Sequence, residues 1–401
     1  MIKKILALLM SFLFVLAPLS LQAEAADDTV TINLYNWGQY LSDGTDGSID
    51  VIGEFEKKYP NIKVNHMTFD SNESMYTKLV SGGSSYDIIL PSDYMIEKLI
   101  AEDMLEPLNY ENIPNFRYVD EIFRDPAYDP GSVYSVPYTW GSVGIIYNIK
   151  FVEEADIGSW DLLWNEKYAG KILMFDNCRD AFAISELLLG YDLNTQDTEE
   201  LDASADLLRK QTHLVQNYVM DQIFDKMQRA EAWIAPYYAG DYLTMVEVNP
   251  DLGFYLPKEG FNLFVDGICI PKGCQHKKEA ELFINFLLDP EICGKNLEYL
   301  GYSSPETASR EYMDPDYANN PIAYPSAEVQ EMGRSFTALS LESNQYMNAL
   351  WLTVKTADSS TTVYLILTIA AIVLILFFWI FFKVRKKRAK ARRCRKWKQP
   401  E

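Results

Sequence analysis

Apolar and polar positions in the first hundred residues alternate between the period of a strand and that of a helix. β-branched residues at 29–35 predict a strand, and a helix through Val51 and Phe55 is expected to stop before Tyr59-Pro60. A second strand is predicted at 62–64. Strands alternating with helices in this way are typical of an α/β fold.

The alternation continues through the next segment of the chain. Asp70-Ser71 is expected to cap a helix through Met75 and Leu79, and Gly82-Gly83 to end it. A continuous apolar strand is predicted at 86–90, which indicates a sheet with buried parallel strands.

A second α/β unit is expected beyond a long extended segment at 135–148. Residues 159–164 and 168–174 begin this unit in the predicted pattern, and helices are predicted at 181–189, 201–210 and 278–288. Two units joined by an extended crossing predict a two-lobed body that places its ligand in the cleft between the lobes, at the carboxyl ends of strands.

Aromatic residues and carboxylates occur together at the predicted strand ends. Three predicted strands are followed by such residues, at 35–40 (aromatic), 91–94 (both types) and 176–180 (acidic), and both types occur in two later segments, at 237–241 and 264–267. A flexible chain that carries ammonium groups needs a carboxylate at each charge and aromatic faces along its methylene groups. This composition of the strand ends therefore suits a cationic ligand.

Charge is distributed unevenly along the chain. The 401 residues include 48% apolar and 23% charged residues, and the net charge is −21. Basic residues are concentrated at 383–401, so the body of the chain is more acidic than the total suggests. An acidic body argues against a nucleic-acid partner, because each phosphate contact would form against the field of the protein.

Both ends of the chain contain segments that predict export and membrane anchoring. Lys3 and Lys4, an apolar run and Ala23-Glu24-Ala25 indicate a signal peptide at 1–25. Residues 363–382 contain no charge and predict a transmembrane helix, preceded by a linker at 356–362 and followed by a basic tail at 383–401. The tail predicts a cytoplasmic C-terminus, so we expect a single-pass cell-membrane protein with its body outside the cytoplasm.

Cysteine and histidine are too scattered for a zinc site. Cys178, Cys269, Cys274 and Cys293 lie in the body without a CxxC motif, and we expect structural or free thiols without choosing among the possible disulfide pairings. We expect no cofactor and no metal. The sequence also lacks a nucleophile–base pair and a phosphate loop, so no enzymatic activity is expected.

Eight collinear segments carry a resemblance to a known family. The chain resembles the spermidine/putrescine-binding proteins of bacterial ABC transporters from residue 29 to about residue 355. The matching segments are YNWGQY (35–40), SNESMYTKL (71–79), YDIILPSDY (86–94), YSVPYTWGSVGIIYN (134–148), SWDLLW (159–164), YAGD (238–241), INFLLDPE (284–291) and LGYSSPE (300–306).

The resemblance implies a type II periplasmic-binding-protein-like fold and a polyamine site with aromatic walls and acidic amine partners. Trp37, Tyr40, Tyr94, Tyr238 and Tyr302 match aromatic positions, and Ser92 matches a hydroxyl position. Asp180, Asp241 and Asp266 match acidic positions, with Asp266 at the carboxylate central to amine recognition.

Some positions depart from the family pattern. Asn177 stands where spermidine-type members carry Asp, Gln39 where some carry an acid, and Phe264 where a Trp precedes the central Asp. One lost carboxylate weakens the case for a triamine, and the sequence leaves putrescine and spermidine open.

The resemblance also implies closure of two lobes over the ligand and delivery to the permease and ATPase subunits of an ABC uptake system. We expect lobe 1 at 29–137 and 267–310, lobe 2 at 138–266 and 311–355, and hinges near Tyr138 and at 266–270. Three alternatives remain open: a ferric-ion binder using Tyr237-Tyr238, an anion or sugar binder on this fold, and a membrane-anchored polyamine sensor.

Overall fold

The computed structural model describes residues 29–82, 85–356, 368–379, 383 and 385. Ten strands within this part of the chain are linked by pairing into one network. They are β1 (Val30–Trp37), β2 (Ile62–Phe69), β3 (Ile88–Ile89), β4 (Ser135–Asn148), β5 (Ile172–Phe175), β6 (Val215–Val219), β7 (Ile234–Tyr238), β8 (Leu252–Tyr255), β9 (Phe261–Cys269) and β10 (Gly333–Arg334).

Helices pack on the faces of this sheet. Those of the body are α1 (Val51–Lys58), α2 (Asn72–Ser81), α3 (Asp93–Ala101), α4 (Cys178–Leu189), α5 (Thr198–Gln211), α6 (Ile223–Gln228), α7 (Ala239–Val248), α8 (Lys277–Leu287), α9 (Pro290–Leu300), α10 (Pro315–Ala318), α11 (Ala327–Gln330) and α12 (Leu341–Thr356). Several short 3₁₀ helices fill the connections, among them Trp160–Trp164.

The sheet has two parallel parts joined by two long antiparallel strands. Its order is β2-β1-β3-β9-β4-β7-β5-β6, with β10 on β9 and β8 on β4. β1, β2 and β3 are parallel in one part, and β5, β6 and β7 in the other. β4 and β9 run between them, and their register shifts between Pro137 and Thr139. This is the two-lobed α/β architecture expected from the sequence.

Several local predictions are confirmed. Ser71 forms a capping box with Ser74 at the start of α2, and Gly82 ends that helix with φ of 66°. The extended segment at 135–148 is β4. The residues expected to begin the second unit differ: Trp160–Trp164 is a 3₁₀ helix, because Ser159 caps it and the Trp160 indole donates to the Gly260 carbonyl at 2.9 Å. Only Ile172–Phe175 of the following segment forms a strand.

The predicted targeting and anchoring segments fall largely on residues that the structure does not describe. These are the signal peptide at 1–25, most of the linker at 356–362 and most of the tail at 383–401, and the predicted span at 363–382 extends past the described helical residues 368–379 at both ends. Among the described residues, no helix is both long and apolar enough to cross a membrane.

Candidate functional site

A cleft opens where the two parts of the sheet meet, and it encloses about 830 Å³ including its open mouth. Strand ends and helix starts supply most of its lining, as expected for an α/β fold. All nine residues predicted from the sequence line this cleft: Trp37, Tyr40, Ser92, Tyr94, Asp180, Tyr238, Asp241, Asp266 and Tyr302.

Asp266 lies in the middle of the cleft wall and is 5% exposed. The Tyr40 hydroxyl donates a hydrogen bond of 2.6 Å to its Oδ2, whereas Oδ1 is buried without a hydrogen-bond partner in the protein. Burial raises the pKa of Asp266 to about 6, although the hydrogen bond from Tyr40 and the nearby Ser92 hydroxyl favour the carboxylate. Sequence reasoning placed this residue at a strand end, which was wrong: Asp266 lies within β9, on the crossing between the two parts.

Asp180 is placed by the first turn of α4, directly after β5. Asn177 caps that helix by accepting a hydrogen bond of 3.0 Å from the Arg179 amide, so the departure from the family pattern has a structural role here. Tyr238, at the end of β7, donates to Oδ2 of Asp180 at 3.0 Å. Burial raises the pKa of Asp180 to about 7.

Asp241 and Tyr302 meet at another part of the cleft. Asp241 lies in the first turn of α7, and Tyr302 follows the left-handed Gly301 that ends α9. Gly301 packs against the backbone of Gly240, which leaves no room for a side chain at either glycine. Removal from bulk water raises the pKa of Asp241 to about 8, and the Tyr302 hydroxyl opposes this rise.

The aromatic lining is held by hydrogen bonds behind the rings. The Trp37 indole donates to the Leu90 carbonyl at 2.8 Å, and its ring packs on Phe69. Tyr94 receives a hydrogen bond from Asn72 at 3.1 Å and donates to Glu73 at 3.0 Å. These partners within the protein orient the rings of the wall without a contribution from a ligand.

Ring contacts also join elements that are distant in sequence. Tyr40 and Tyr302 meet edge to face at 4.9 Å between centroids. Tyr238 and Phe264 do the same at 5.5 Å. Phe264 therefore keeps an aromatic surface in the wall.

Sequence reasoning missed several residues of the lining. Asp93, between the predicted Ser92 and Tyr94, is 1% exposed, and burial raises its pKa to about 8. Arg179 is 5% exposed and donates to Asn194 at 2.7 Å. Asp93 and Arg179 each adjoin a predicted residue in the chain, and that adjacency was the available signal. Phe336, from the segment before α12, gave no such signal.

The described residues do not support a metal site of the usual ligands. They contain no group of three or more histidine, cysteine, aspartate or glutamate side chains able to hold a metal ion. Cys178, Cys269, Cys274 and Cys293 are free thiols. The Tyr237 ring stacks on Phe175, and the Tyr238 hydroxyl is engaged by Asp180.

Comparison with known proteins identifies the family to which the chain belongs. A family model described as bacterial extracellular solute-binding protein matches residues 50–325. The spermidine/putrescine-binding periplasmic protein of Escherichia coli is 31% identical over 316 residues, covering 79% of this chain and 89% of that protein. The chain belongs to the spermidine/putrescine-binding family of bacterial extracellular solute-binding proteins.

Solved structures agree with this membership. A protein attributed to a spermidine/putrescine ABC transporter of Listeria monocytogenes superposes on this solute-binding protein with a TM-score of 0.78 and 35% identity, covering 82% of this chain and 99% of that one. The spermidine/putrescine ABC transporter substrate-binding protein of Streptococcus pneumoniae superposes with a TM-score of 0.69 and 34% identity, and it covers 82% of this chain and 99% of that one. As a member of a solute-binding family, the chain is not an enzyme.

Proposed function

We propose that this solute-binding protein captures a polyamine, putrescine or spermidine, and delivers it to the permease of an ABC uptake system powered by its ATPase. The observation that carries the proposal is Oδ1 of Asp266, a buried carboxylate oxygen without a partner on the wall of an aromatic cleft. A buried acceptor left unpaired is costly, and an ammonium group would satisfy it. Relatives named for spermidine and putrescine support this ligand class.

The charge balance of the cleft supports a cation over an anion or a neutral sugar. Six aspartates line the cleft, and Arg179 is the only basic residue among the described lining residues. Asp180, Asp241 and Asp266 would each receive an ammonium group or share one, while Trp37 and Tyr40 would cover the methylene groups. Ser92, Tyr94, Tyr238 and Tyr302 would complete the site.

Ligand capture is proposed to occur by closure of the two lobes around the β4 and β9 crossings. The register shift between Pro137 and Thr139 adjoins the proposed hinge at Tyr138, and residues 266–270 form the second crossing. We keep the proposed division into lobe 1 at 29–137 and 267–310 and lobe 2 at 138–266 and 311–355. α12 packs on α5, which supports its assignment to lobe 2.

The extracytoplasmic body is further proposed to be tethered by one helix at 363–382, with the basic tail inside the cell. The uncharged run and the Lys/Arg-rich segment after it support this arrangement. A tether would raise the effective concentration of the body at a neighbouring permease. Protease added outside intact spheroplasts should degrade the body and spare an epitope at residue 401; loss of both, or of neither, would contradict the topology.

Thermal unfolding with a ligand panel tests the proposed function. The panel contains putrescine, cadaverine, spermidine, spermine, ferric citrate, maltose and glutamate. A ligand at about 100 times its dissociation constant adds roughly 2.7 kcal/mol to the free energy of unfolding. We expect an upward shift of Tm with polyamines alone. A shift with ferric citrate or maltose and none with an amine would reject the proposal.

A further inference from the structure

Two aspartates outside the predicted set lie at the mouth of the cleft. Asp70 directly follows β2 in one part of the sheet, and Asp221 lies two residues after the end of β6 in the other. Both line the cleft and both are exposed, unlike Asp266. They therefore extend the acidic lining from the buried wall to the rim, with one carboxylate contributed from each side.

Asp221 reaches across the cleft to the end of β1. A Cβ atom added at Gly38 would lie 2.9 Å from Oδ2 of Asp221, a separation that real Cβ contacts do not show. Glycine at this position lets the carboxylate lie close to the backbone of the opposite side, and a larger residue would displace it. The contact joins two elements that lie far apart in the chain, one from each of the two parallel parts of the sheet.

Electrostatic coupling connects the mouth to the interior. The charge of Asp70 contributes to the raised pKa of Asp221, after the larger effect of desolvation. The charge of Asp221 likewise contributes to the raised pKa of Asp241. The three carboxylates thus repel one another in sequence from the rim inward.

No basic residue of the described lining offsets this repulsion. Arg179 adjoins Asp180 and contributes to the pKa of Asp93 and Asp180, not to that of Asp221 or Asp241. Lys78 is within the field of Asp70, but its ammonium lies over the Tyr35 ring at 5.1 Å and does not line the cleft. A ligand cation at the mouth would supply the missing positive charge.

We propose that Asp221 and Asp70 form an outer subsite for one further ammonium group, so that the closed cleft selects a triamine over a diamine. This inference rests on the proposed polyamine function. The independent sign of a ligand in this cleft is the buried, unpartnered Oδ1 of Asp266. A diamine that occupies the inner carboxylates leaves the pair at the mouth uncompensated, whereas the additional aminopropyl arm of a triamine extends a positive charge along the cleft.

Isothermal titration calorimetry on the full chain tests the subsite with putrescine and spermidine as probes. Asp221→Asn should lower the ratio of spermidine to putrescine affinity by up to about fivefold, because a partly exposed ion pair contributes up to about 1 kcal/mol. Asp70→Asn should change the ratio in the same direction. Gly38→Ala should also lower it, since the added methyl group displaces the Asp221 carboxylate without removing its charge.

Asp225→Asn is the matched control. This residue lies in α6, four positions after Asp221, and pairs with Arg229 on the surface outside the cleft lining. It removes the same charge from the same region and should leave the affinity ratio unchanged. Unfolding curves of each variant verify that the fold is retained.

Each other outcome overturns the subsite. Equal losses for both amines, confined to the association rate and abolished by salt, would mean that Asp221 only steers cations toward the cleft. An unchanged ratio in Asp221→Asn would remove the residue from selectivity altogether. If the wild-type chain bound neither amine, the proposed function itself would fail, and this result is distinct from bound amines with an unaltered ratio.

Discussion

The Tyr40 hydroxyl donates a 2.6 Å hydrogen bond to Oδ2 of Asp266, linking the segment after β1 to the strand β9 that crosses between the two parts of the sheet. The same hydroxyl contacts the side chain of Thr139 on β4. One carboxylate oxygen is thereby held at the centre of the molecule, and the other is left for a ligand. The site is built on rigid strands, which favours a preorganised cation acceptor.

The affinity for polyamine should fall as the pH is lowered from 8 to 5. Burial raises the pKa of Asp266 to about 6 and that of Asp180 to about 7, so acidification neutralises both acceptors in the free protein. The ligand amines resemble lysine, with a pKa near about 10.4, and stay charged throughout. Binding favours the ionised carboxylates and should therefore release protons at pH 7.

Calorimetry in buffers of different ionisation enthalpy measures this proton release. Net proton uptake, or an affinity that rises on acidification, would show that the carboxylates are not the acceptors. Binding of an uncharged solute gives a baseline without linked release.

The ligand-free protein should show the opposite trend in stability. Asp93 has a folded-state pKa of about 8, and Glu306, which does not line the cleft, has one of about 9. Both values lie above the unfolded ones, so these groups favour folding at low pH and lose that contribution as the pH rises through the folded pKa. Tm should therefore decrease between pH 5 and pH 8.

Glu306→Gln isolates one part of this trend. Both oxygens of Glu306 are buried without hydrogen-bond partners in the protein. The amide cannot ionise, so the variant should have a flatter dependence of Tm on pH than the wild type. The exposed Glu247→Gln is the control, and an equal flattening in that variant would rule out Glu306 as the source.

The strand and helix pattern was largely predictable because local signals agree with the tertiary structure. The Ser71 cap, the Gly82 stop and the long strand β4 follow from residue type and spacing alone. The 3₁₀ helix at Trp160–Trp164 was not predictable in this way. Its Trp160 indole contacts Gly260, which is distant in sequence. Short-range periodicity carries no information about such a partner.

The site was predictable through the family resemblance, position by position. All the residues it implied line one cleft, and their roles in binding remain predictions. Asp221 and Phe336 could not be found, because each reaches the cleft from a segment with no predicted strand end. Asn177 shows the converse: its family position suggests ligand contact, whereas its observed role includes capping α4.

Gly301→Ala should destabilise the fold and weaken amine binding together. The substitution forces an alanine into the left-handed region at φ of 80° and drives its Cβ into the Gly240 backbone. We expect the free energy of unfolding to fall by about 2 kcal/mol, with Tyr302 displaced from Asp241. Denaturant unfolding and calorimetry measure the two effects.

Gly47→Ala is the matched control for backbone strain. Gly47 has φ of 83°, and a Cβ there would have no neighbour within 4 Å. It should show a smaller loss of stability and unchanged binding. Equal effects in both variants would mean that the Gly301 contact does not position the Tyr302 ring.

Titration of the wild-type chain and of Asp266→Asn with spermidine and putrescine by calorimetry tests the central claim most directly. The account predicts saturable one-to-one binding to the wild type and an affinity at least about 30-fold lower in the variant, since a charge-assisted hydrogen bond contributes about 2 kcal/mol or more. The variant should unfold at or above the wild-type temperature without ligand, because an isolated carboxylate is removed from a buried site. Equal affinities in the two proteins, or no amine binding to the wild type, would contradict the account.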